Sequence, residues 1–267
     1  MGVMLIFPQL QTGTVAQFPI SRTDTLRALR RIHLDGSQPA NVVDEGSRTC
    51  AWNLSFTALS TQEMLALQEL FEVAEGRLKS FTFLDPADNL LRWSEDLTKP
   101  VWTVANGLSL TGGLPDAFGR SGATNVTNST AVDQQITQGL PVPSAFRYHF
   151  GLYLRSESTT NVTLFVRAGS QSQILTIPVR SEWSLASHPV ALGGTAESVH
   201  FGFEIRAGDS IEICGAQVQA HTSASTYKPT GMHGGVYTST RFDQDALVVK
   251  AEYRDQYSTR LRLISRT

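Results

Sequence analysis

The sequence predicts a mainly β protein with one α-helix at about residues 61–75. It predicts a β-sandwich domain into which a second domain, a β-jelly roll, is inserted. Three observations support this fold class. Short segments of alternating apolar and polar residues recur along the 267 residues, as in strands with one buried face. Helical spacing is clear in a single segment. Finally, the last 35 or so residues hold strand patterns that are too few to form a domain by themselves.

The first part of the chain combines strands with this helix. In RTCAWNLSFTAL (48–59) one face is apolar and the other polar, which predicts a half-buried antiparallel strand. Ser60 and Glu63 then have the spacing of a capping box, and Gly76 provides a helix end. The helix is therefore predicted between them, and a strand follows at 78–84.

The segment TLRALRRIHLDGS (25–37) is ambiguous, because it contains helix formers whose apolar residues also alternate. The Asp35-Gly36 pair is a hairpin turn signal. We therefore expect a strand here.

A long stretch without helical patterns separates this part from the C-terminus. Strand-like runs recur at 148–156, 161–169, 173–179, 198–208 and 210–220, with Gly, Ser, Thr and Asn turns between them. Many short strands at regular spacing predict a sandwich or jelly roll. We therefore predict a discontinuous domain, 1–88 and 232–267, and an inserted domain at 89–231 that begins after the strand at 78–84.

Composition excludes several classes of function. A formal net charge of −2 argues against nucleic-acid binding, which needs a basic surface. No stretch has the 18 or so consecutive apolar residues of a membrane span, so no membrane insertion is predicted, and the start MGVMLIFPQLQTG lacks the pattern of a secretion signal. Cys50 and Cys214 are predicted to be buried free thiols.

Motifs for catalysis, cofactors and metals are not found in the sequence. GDSI (208–211) imitates a lipase nucleophile block, but it lies between two β runs and is interpreted as a hairpin turn. Glu95, Asp96 and Asp116 could hold a calcium ion, although solvated loop carboxylates are the preferred interpretation. We therefore predict no catalytic, cofactor-binding or metal-binding residue and no enzymatic activity, while a glycosidase pair of carboxylates stays open.

Aromatic residues of the inserted domain are the remaining functional signal. Flat aromatic rings stack against sugar rings, with polar groups at the rim to orient them. The candidates for carbohydrate binding are Trp93, Trp102, Tyr148 and Tyr153. Trp102 and Tyr153 are predicted to be exposed, and Trp183 is predicted to pack in the core.

Two groups of motifs resemble known families. The pattern W-x-L-x-F-x-x-L-S-x-x-E (52–63), the segment LFEVAEGRLKSFTFLDPADN (70–89) and the C-terminal RFDQDALVV and YSTRLRLIS resemble phage distal tail proteins, a family with relatives in gene transfer agents. NLLRWSEDLTKPVWTV and ICGAQVQAHTSASTYKPT resemble the two ends of carbohydrate-binding-module jelly rolls in phage tail and fibre proteins, although Gln219 replaces a more usual acidic residue.

The resemblance implies a virion protein of the tail tip, assembled in the host cytoplasm. Such proteins form a belt-like ring, commonly a hexamer, that joins the tail tube protein to the baseplate hub protein. The inserted module is then expected to bind a host cell-surface polysaccharide for reversible adsorption. Two alternatives stay open: a purely structural module that docks other baseplate or fibre proteins, and, with less support, a glycan-cleaving enzyme.

Overall fold

The computed structural model describes residues 5–26, 28–30, 32–37, 40–42 and 48–266. The chain forms two compact units. Unit 1 comprises Met1–Leu10, Ala16–Phe83 and Tyr237–Thr267, and unit 2 comprises Gln11–Val15 and Leu84–Val236. The predicted fold class is confirmed: the described chain is mainly β, with one helix and a jelly-roll sandwich.

The described residues of unit 1 form one larger sheet, one helix and a small hairpin. Its strands are β1 (Ser21–Leu26), β2 (Ala28–Arg30), β3 (Ala40–Val42), β4 (Arg48–Leu59), β5 (Phe81–Leu84), β16 (Val236–Phe242), β17 (Val249–Tyr253) and β18 (Gln256–Arg266), and its helix is α1 (Thr61–Val73). The main sheet has the order β1-β4-β18-β16-β5, with β17 paired to β18. The C-terminal strand β18 thus lies beside β4, and the two ends of the chain complete one sheet.

The core of unit 1 is aromatic, and the helix is capped as predicted. Trp52 of β4 meets Phe83 and Tyr237 edge to face, with ring centroids 5.1 and 4.7 Å apart. The Ser60 and Glu63 capping box is present, and α1 ends two residues before the predicted end. Cys50 is a buried free thiol, as predicted.

In the ambiguous segment 25–37, the described residues 25–26 and 28–30 are strand, which confirms the strand prediction for that part, and residues 34–36 form a turn. β2 and β3 form an antiparallel hairpin, with a turn at Asp35-Gly36 in which Gly36 has a φ of +82°. Arg27 and Arg31 of this segment lie outside the described residues.

Unit 2 is a sandwich of two five-stranded sheets. Its strands are β6 (Thr103–Val104), β7 (Leu108–Leu114), β8 (Ala123–Asn128), β9 (Gln134–Leu140), β10 (Arg147–Arg155), β11 (Thr160–Ala168), β12 (Gln171–Val179), β13 (Ser184–Ala191), β14 (Val199–Ile205) and β15 (Ser210–Gln219). One sheet has the order β13-β10-β15-β8-β7, and the other has the order β12-β11-β14-β9-β6. Tyr148 and Phe150 of the first sheet meet Phe201 of the second, so the core lies between the sheets.

Several sequence interpretations can be checked in unit 2. Gly208 and Asp209 of GDSI lie in the turn between β14 and β15, where Asp209 N donates to Arg206 O at 3.2 Å. The turn is confirmed but the hairpin is wrong, because β14 and β15 belong to opposite sheets of the sandwich. Cys214 is a buried free thiol, and burial raises its pKa to about 11. No helix in the described part of the chain is long and apolar enough to cross a membrane.

Candidate functional site

The outer face of the β13-β10-β15 layer carries a groove. Side chains alternate along β10, so Tyr148, Phe150, Leu152 and Leu154 enter the core while Arg147, His149, Gly151 and Tyr153 face outward. Leu185, Ser187, Pro189 and Ala191 of β13 lie opposite these four outward residues in register, and all four are exposed. Since β13 is the edge strand of its sheet, its outward residues form an open strip along the groove floor.

A cluster of three aromatic rings lies at one end of the groove. The rings of Phe118 and Tyr227 are stacked, with centroids 5.1 Å apart and planes inclined by 13°. Tyr153 meets Phe118 edge to face at 4.9 Å. Phe118 is 39% exposed, and Leu185, the register partner of Tyr153 on β13, is 46% exposed. This end therefore offers an apolar, partly aromatic surface to solvent.

A β-bulge makes room for this cluster. The pairing of β10 with β15 shifts register between Gly151 and Tyr153, opposite Gly215, which has a φ of +65°. A Cβ atom at Gly215 would lie 3.1 Å from the Tyr153 ring and 3.2 Å from the Phe118 ring. Only a residue without a side chain allows both rings to approach the sheet here.

The middle of the groove is polar and partly covered. His149 Nε2 and Ser187 Oγ are 2.7 Å apart, and Gln217 and Gln219 lie beside them on β15. The segment after β15 folds back over these glutamines, because Ser225 N and Oγ donate to Gln219 Oε1 and Lys228 N donates to Gln217 Oε1. The space left beneath this segment is only about 20 Å³, so the segment acts as a wall beside the exposed strip of β13.

Two titratable groups of this region have pKa values shifted towards their neutral forms. Burial, with smaller contributions from His221 and His188, lowers the pKa of His149 below its usual 6.5. Burial raises the pKa of Tyr227, although its hydroxyl lies 2.8 Å from Ser94 Oγ. The polar floor thus offers neutral hydrogen-bonding groups.

A larger cavity of about 260 Å³ lies at the other end of β10 and β13. It is lined by Arg147, Tyr148, Gln173, Pro189, Val190, Ala191 and Thr222. The Gln173 amide fixes its rim, since Nε2 donates to Ala191 O at 3.0 Å and Ala191 N donates to Oε1 at 3.3 Å. Arg147 Nη1 donates to Gln11 O at 3.4 Å.

The predicted sugar-binding residues are distributed unevenly. Tyr153 lies in the groove and is partly exposed. Trp93 is half-buried beneath the Lys99 ammonium, 4.9 Å from its ring centroid, and lines neither cavity. Both are thus placed away from the core, but only Tyr153 is near the other aromatic rings of the groove.

The predicted exposure of Trp102 is wrong, and Tyr148 cannot offer a ring face. Trp102 is 4% exposed because its indole packs inward and Nε1 donates to Trp93 O at 3.0 Å. Tyr148 is 1% exposed and packs against Phe201, with its hydroxyl donating to Pro143 O. The core prediction for Trp183 is also wrong, since this ring is half-exposed and stacks under the Arg155 guanidinium at 4.8 Å.

Sequence reasoning missed Phe118, Leu185 and the strip on β13. Phe118 follows Asp116, which accepts hydrogen bonds from the backbone N–H groups of Phe118 and Arg120. That Asx turn, D-x-x-G-R, was the signal that this loop is ordered. The strip was missed because SLASHPVA mixes small, polar and proline residues on an edge strand, where alternation is weak.

The acidic residues considered for calcium are held by basic groups. The Arg120 guanidinium pairs with Glu95 and lies 3.3 Å from Asp116 Oδ2, while Asp96 pairs with Lys99 at 3.3 Å. Among the described residues, no group of three or more His, Cys, Asp or Glu side chains could hold a metal ion.

Unit 2 is therefore a jelly-roll module with an elongated groove on its surface. No protein-family model matches the sequence, and the search of curated proteins found no match. Solved structures similar to this chain are mainly carbohydrate-binding modules, and a phage tailspike domain is among them.

Three of these structures illustrate the extent of similarity. The CBM22-1 xylan-binding domain of Xyn10C from Paenibacillus barcinonensis is 15% identical with a TM-score of 0.42, over 52% of this chain and 97% of that domain. TmCBM61, in complex with β-1,4-galactotriose, is 17% identical with a TM-score of 0.38, over 49% of this chain and 97% of the module. The enzymatically active domain of tailspike protein 4 from bacteriophage CBA120 is 15% identical with a TM-score of 0.41. That match covers 51% of this chain and only 22% of the tailspike chain. With TM-scores below 0.5, these similarities do not bear on what the chain binds.

Proposed function

We propose that unit 2 binds a glycan in the groove and that the chain is a structural protein of a phage-type tail tip. The observation that carries the glycan proposal is the aromatic end of the groove. There Tyr153, Phe118 and Leu185 together present a partly exposed, rigid surface. The C–H face of a sugar ring packs favourably on such a surface, and both aromatic side chains lose little entropy on binding.

Polar groups next to this surface suit the hydroxyl groups of a sugar. The Ser187 hydroxyl lies on the exposed strip, and its partner His149 is held neutral by burial. A site of this size is expected to bind weakly, at roughly 10 µM to 1 mM, or about −4 to −7 kcal/mol. Six copies on a ring would strengthen attachment to a cell surface through avidity, by roughly 10²-fold or more.

The same groove supports a binding role without catalysis. Glycan cleavage in most known mechanisms needs two carboxyl groups on either side of the scissile bond. Among the described residues that line the two cavities, none carries a carboxyl group. We therefore propose a non-enzymatic adsorption module.

The test is binding of the full chain to whole cells and to a panel of bacterial polysaccharides. Tyr153→Ala removes part of the stacking surface, so we expect its affinity to fall about tenfold or more. Tyr253→Ala is the matched control, because Tyr253 is 76% exposed and belongs to unit 1. Equal binding by the chain and by Tyr153→Ala would contradict a glycan site in the groove.

The tail-tip role rests on unit 1 and on the resemblance of its sequence to distal tail proteins. Strand β17 is exposed along its whole length, and the adjoining Val248 is 64% exposed. Exposed apolar residues at a sheet edge favour association with further chains. We propose that unit 1 forms a ring, probed below by its oligomeric state, that contacts the tail tube and baseplate hub proteins at the virion tail tip.

One observation favours a second function for unit 2. Ile174 is 64% exposed on the outer face of the sheet that does not carry the groove. An exposed apolar residue there suits docking of a neighbouring baseplate or fibre protein. Capture of isolated tail components by the chain, lost in Ile174→Lys, would support docking, and unchanged capture would contradict it.

A further inference from the structure

We propose that the groove has a second aromatic platform, Trp183, and that it therefore binds a linear sugar chain of several residues rather than a single sugar. This inference rests on the proposed glycan-binding function and adds the length of the ligand to it. It starts from the row of outward residues beyond Tyr153, which the aromatic cluster does not include.

Three side chains form this row across the groove face of the sheet. Arg155 follows Tyr153 on the outward face of β10, and Glu212 is its register partner on β15. The register of β10 with β13 stops one pair before Trp183, so this residue lies next opposite Arg155. Alternate residues of a strand lie about 6.6 Å apart, a separation of the order of one sugar ring in a chain. The row is thus one step further along the groove than Tyr153.

An ion pair holds the Trp183 ring in place. Arg155 Nε donates to Glu212 Oε2 at 2.7 Å, and Arg155 Nη2 lies 2.7 Å from the same oxygen. The guanidinium carbon is 4.8 Å from the centroid of the Trp183 ring, so the cation and the ring pack against each other. Because Trp183 is half-exposed, the ring surface that Arg155 leaves uncovered is open to solvent. Arg155 and Glu212 are therefore positioning residues for an aromatic surface that a sugar ring can contact.

The charged side chains next to the two aromatic platforms are compensated. Each platform adjoins one basic side chain that has acidic partners. The pairs are Arg155 with Glu212 beside Trp183, and Arg120 with Glu95 and Asp116 beside Phe118. We therefore expect stacking to dominate recognition at both platforms, with little dependence of the affinity on ionic strength.

The experiment measures affinity against the length of the sugar chain. Each bacterial polysaccharide of the panel is partially hydrolysed, and its fragments from monosaccharide to hexasaccharide are separated and titrated against the full chain. A fragment of about three sugar residues can cover the ~13 Å from Trp183 to Ser187, and with it both platforms. It should bind about three- to tenfold more tightly than the shortest fragment that binds.

Three variants identify the second platform. Trp183→Ala should bind long fragments about three- to tenfold more weakly and the shortest binding fragment equally well, which also shows that the variant is folded. Arg155→Met should lose part of the gain with chain length, because the ring loses its support. Trp93→Ala is the matched control, since Trp93 is also half-buried beside a cation, with Lys99 4.9 Å from its ring, and lines neither cavity.

The fluorescence of the indole gives a second readout. Of the four tryptophans, Trp52 and Trp102 are buried, so acrylamide mainly reaches Trp93 and Trp183. A bound long fragment should decrease quenching by acrylamide in the unmodified chain and in Trp93→Phe, but not in Trp183→Phe. Equal protection in the two variants would contradict contact with the Trp183 ring.

Each outcome of the titrations has a distinct meaning. A gain with chain length that is lost in Trp183→Ala and kept in Trp93→Ala supports the inference. An affinity that does not depend on chain length, or an equal gain in Trp183→Ala and the unmodified chain, overturns it. If binding is then lost in Tyr153→Ala, the glycan-binding function remains in place. Failure of the full chain to bind any polysaccharide overturns both.

Discussion

Gly215 shows how a single residue determines the shape of the groove. Its φ of +65° belongs to a bulge in β15, and its missing side chain leaves space for the rings of Tyr153 and Phe118. The sequence ICGAQVQ offers no sign of this role, because a glycine in a strand is consistent with a bulge, a bend or a close contact.

We predict that Gly215→Ala destabilises the protein more than Gly208→Ala does. Both residues have a positive φ, and alanine at either costs about 1 kcal/mol of backbone strain. A Cβ atom at Gly208 meets nothing within 4 Å, whereas one at Gly215 crowds two rings and adds about 1–3 kcal/mol. Urea unfolding measures the difference, and glycan affinity should fall only in Gly215→Ala. Equal losses of stability would show that the rings move aside at no cost.

At the scale of elements, the start of α1 and the edge strand β13 contrast in how local their signals are. The helix start is a local pattern: Ser60 accepts from Glu63 N, and Glu63 Oε2 accepts from Ser60 N at 2.9 Å. Strand β13 has no comparable signal, and it takes its place because its backbone pairs with β10 along eight residues. The element that forms the open groove floor is therefore defined by a partner far away in sequence.

The capping box gives a prediction for the helix. Ser60→Ala removes the acceptor for Glu63 N, and we expect a loss of about 1 kcal/mol in the free energy of unfolding. Ser60→Gly should cost only a few tenths of a kcal/mol, because glycine is tolerated at this position. Chemical denaturation of the two variants checks this. A larger loss in Ser60→Gly than in Ser60→Ala would contradict a capping role.

At the scale of the whole molecule, the chain consists of two compact units, and both are discontinuous in sequence. In unit 1, β18 from the C-terminus pairs with β4 along most of its length. The strand β5 ends at Leu84 and β16 begins at Val236, and between these points the backbone Asp85 N donates to Gly235 O at 2.8 Å. The entry and exit of the intervening chain are therefore adjacent.

The ring proposal gives a prediction for the assembled protein. Light scattering of the purified chain should show a mass near six times 29.2 kDa, with a shift to smaller species in Val248→Lys. Lysine there places a charge among exposed apolar residues that a contact would bury. Val132→Lys is the control, because Val132 is 61% exposed in unit 2. A monomer at high concentration, or equal effects of both substitutions, would contradict a ring built through this edge.

How far the sequence predicts the structure depends on how local the signals are. Some signals involve only a few neighbouring residues, and the elements they predict are confirmed. These are the strand from the alternation in RTCAWNLSFTAL, the helix start from the capping box at Ser60, and the turn from Asp35-Gly36. The helix end differs by two residues, because the chain leaves helical geometry before Gly76, at Glu75 with a φ of +52°. The predicted hexamer, tail location and lack of enzymatic activity stay predictions.

The aromatic residues show that the sequence alone does not predict which side chains are exposed. Trp102 and Tyr153 have similar polar and apolar neighbours in sequence, yet one indole is buried and the other ring lies on the groove surface. The side of a strand or loop that faces the core depends on the partner strands and on the β-bulge. The neighbouring residues in the sequence predict neither of these. The class of fold and its local elements follow from the sequence because periodicity and turn chemistry are local. The groove that joins Phe118, Tyr153, Leu185 and Arg147 was decided by tertiary structure, because strand pairing and a bulge bring together residues from three separate segments.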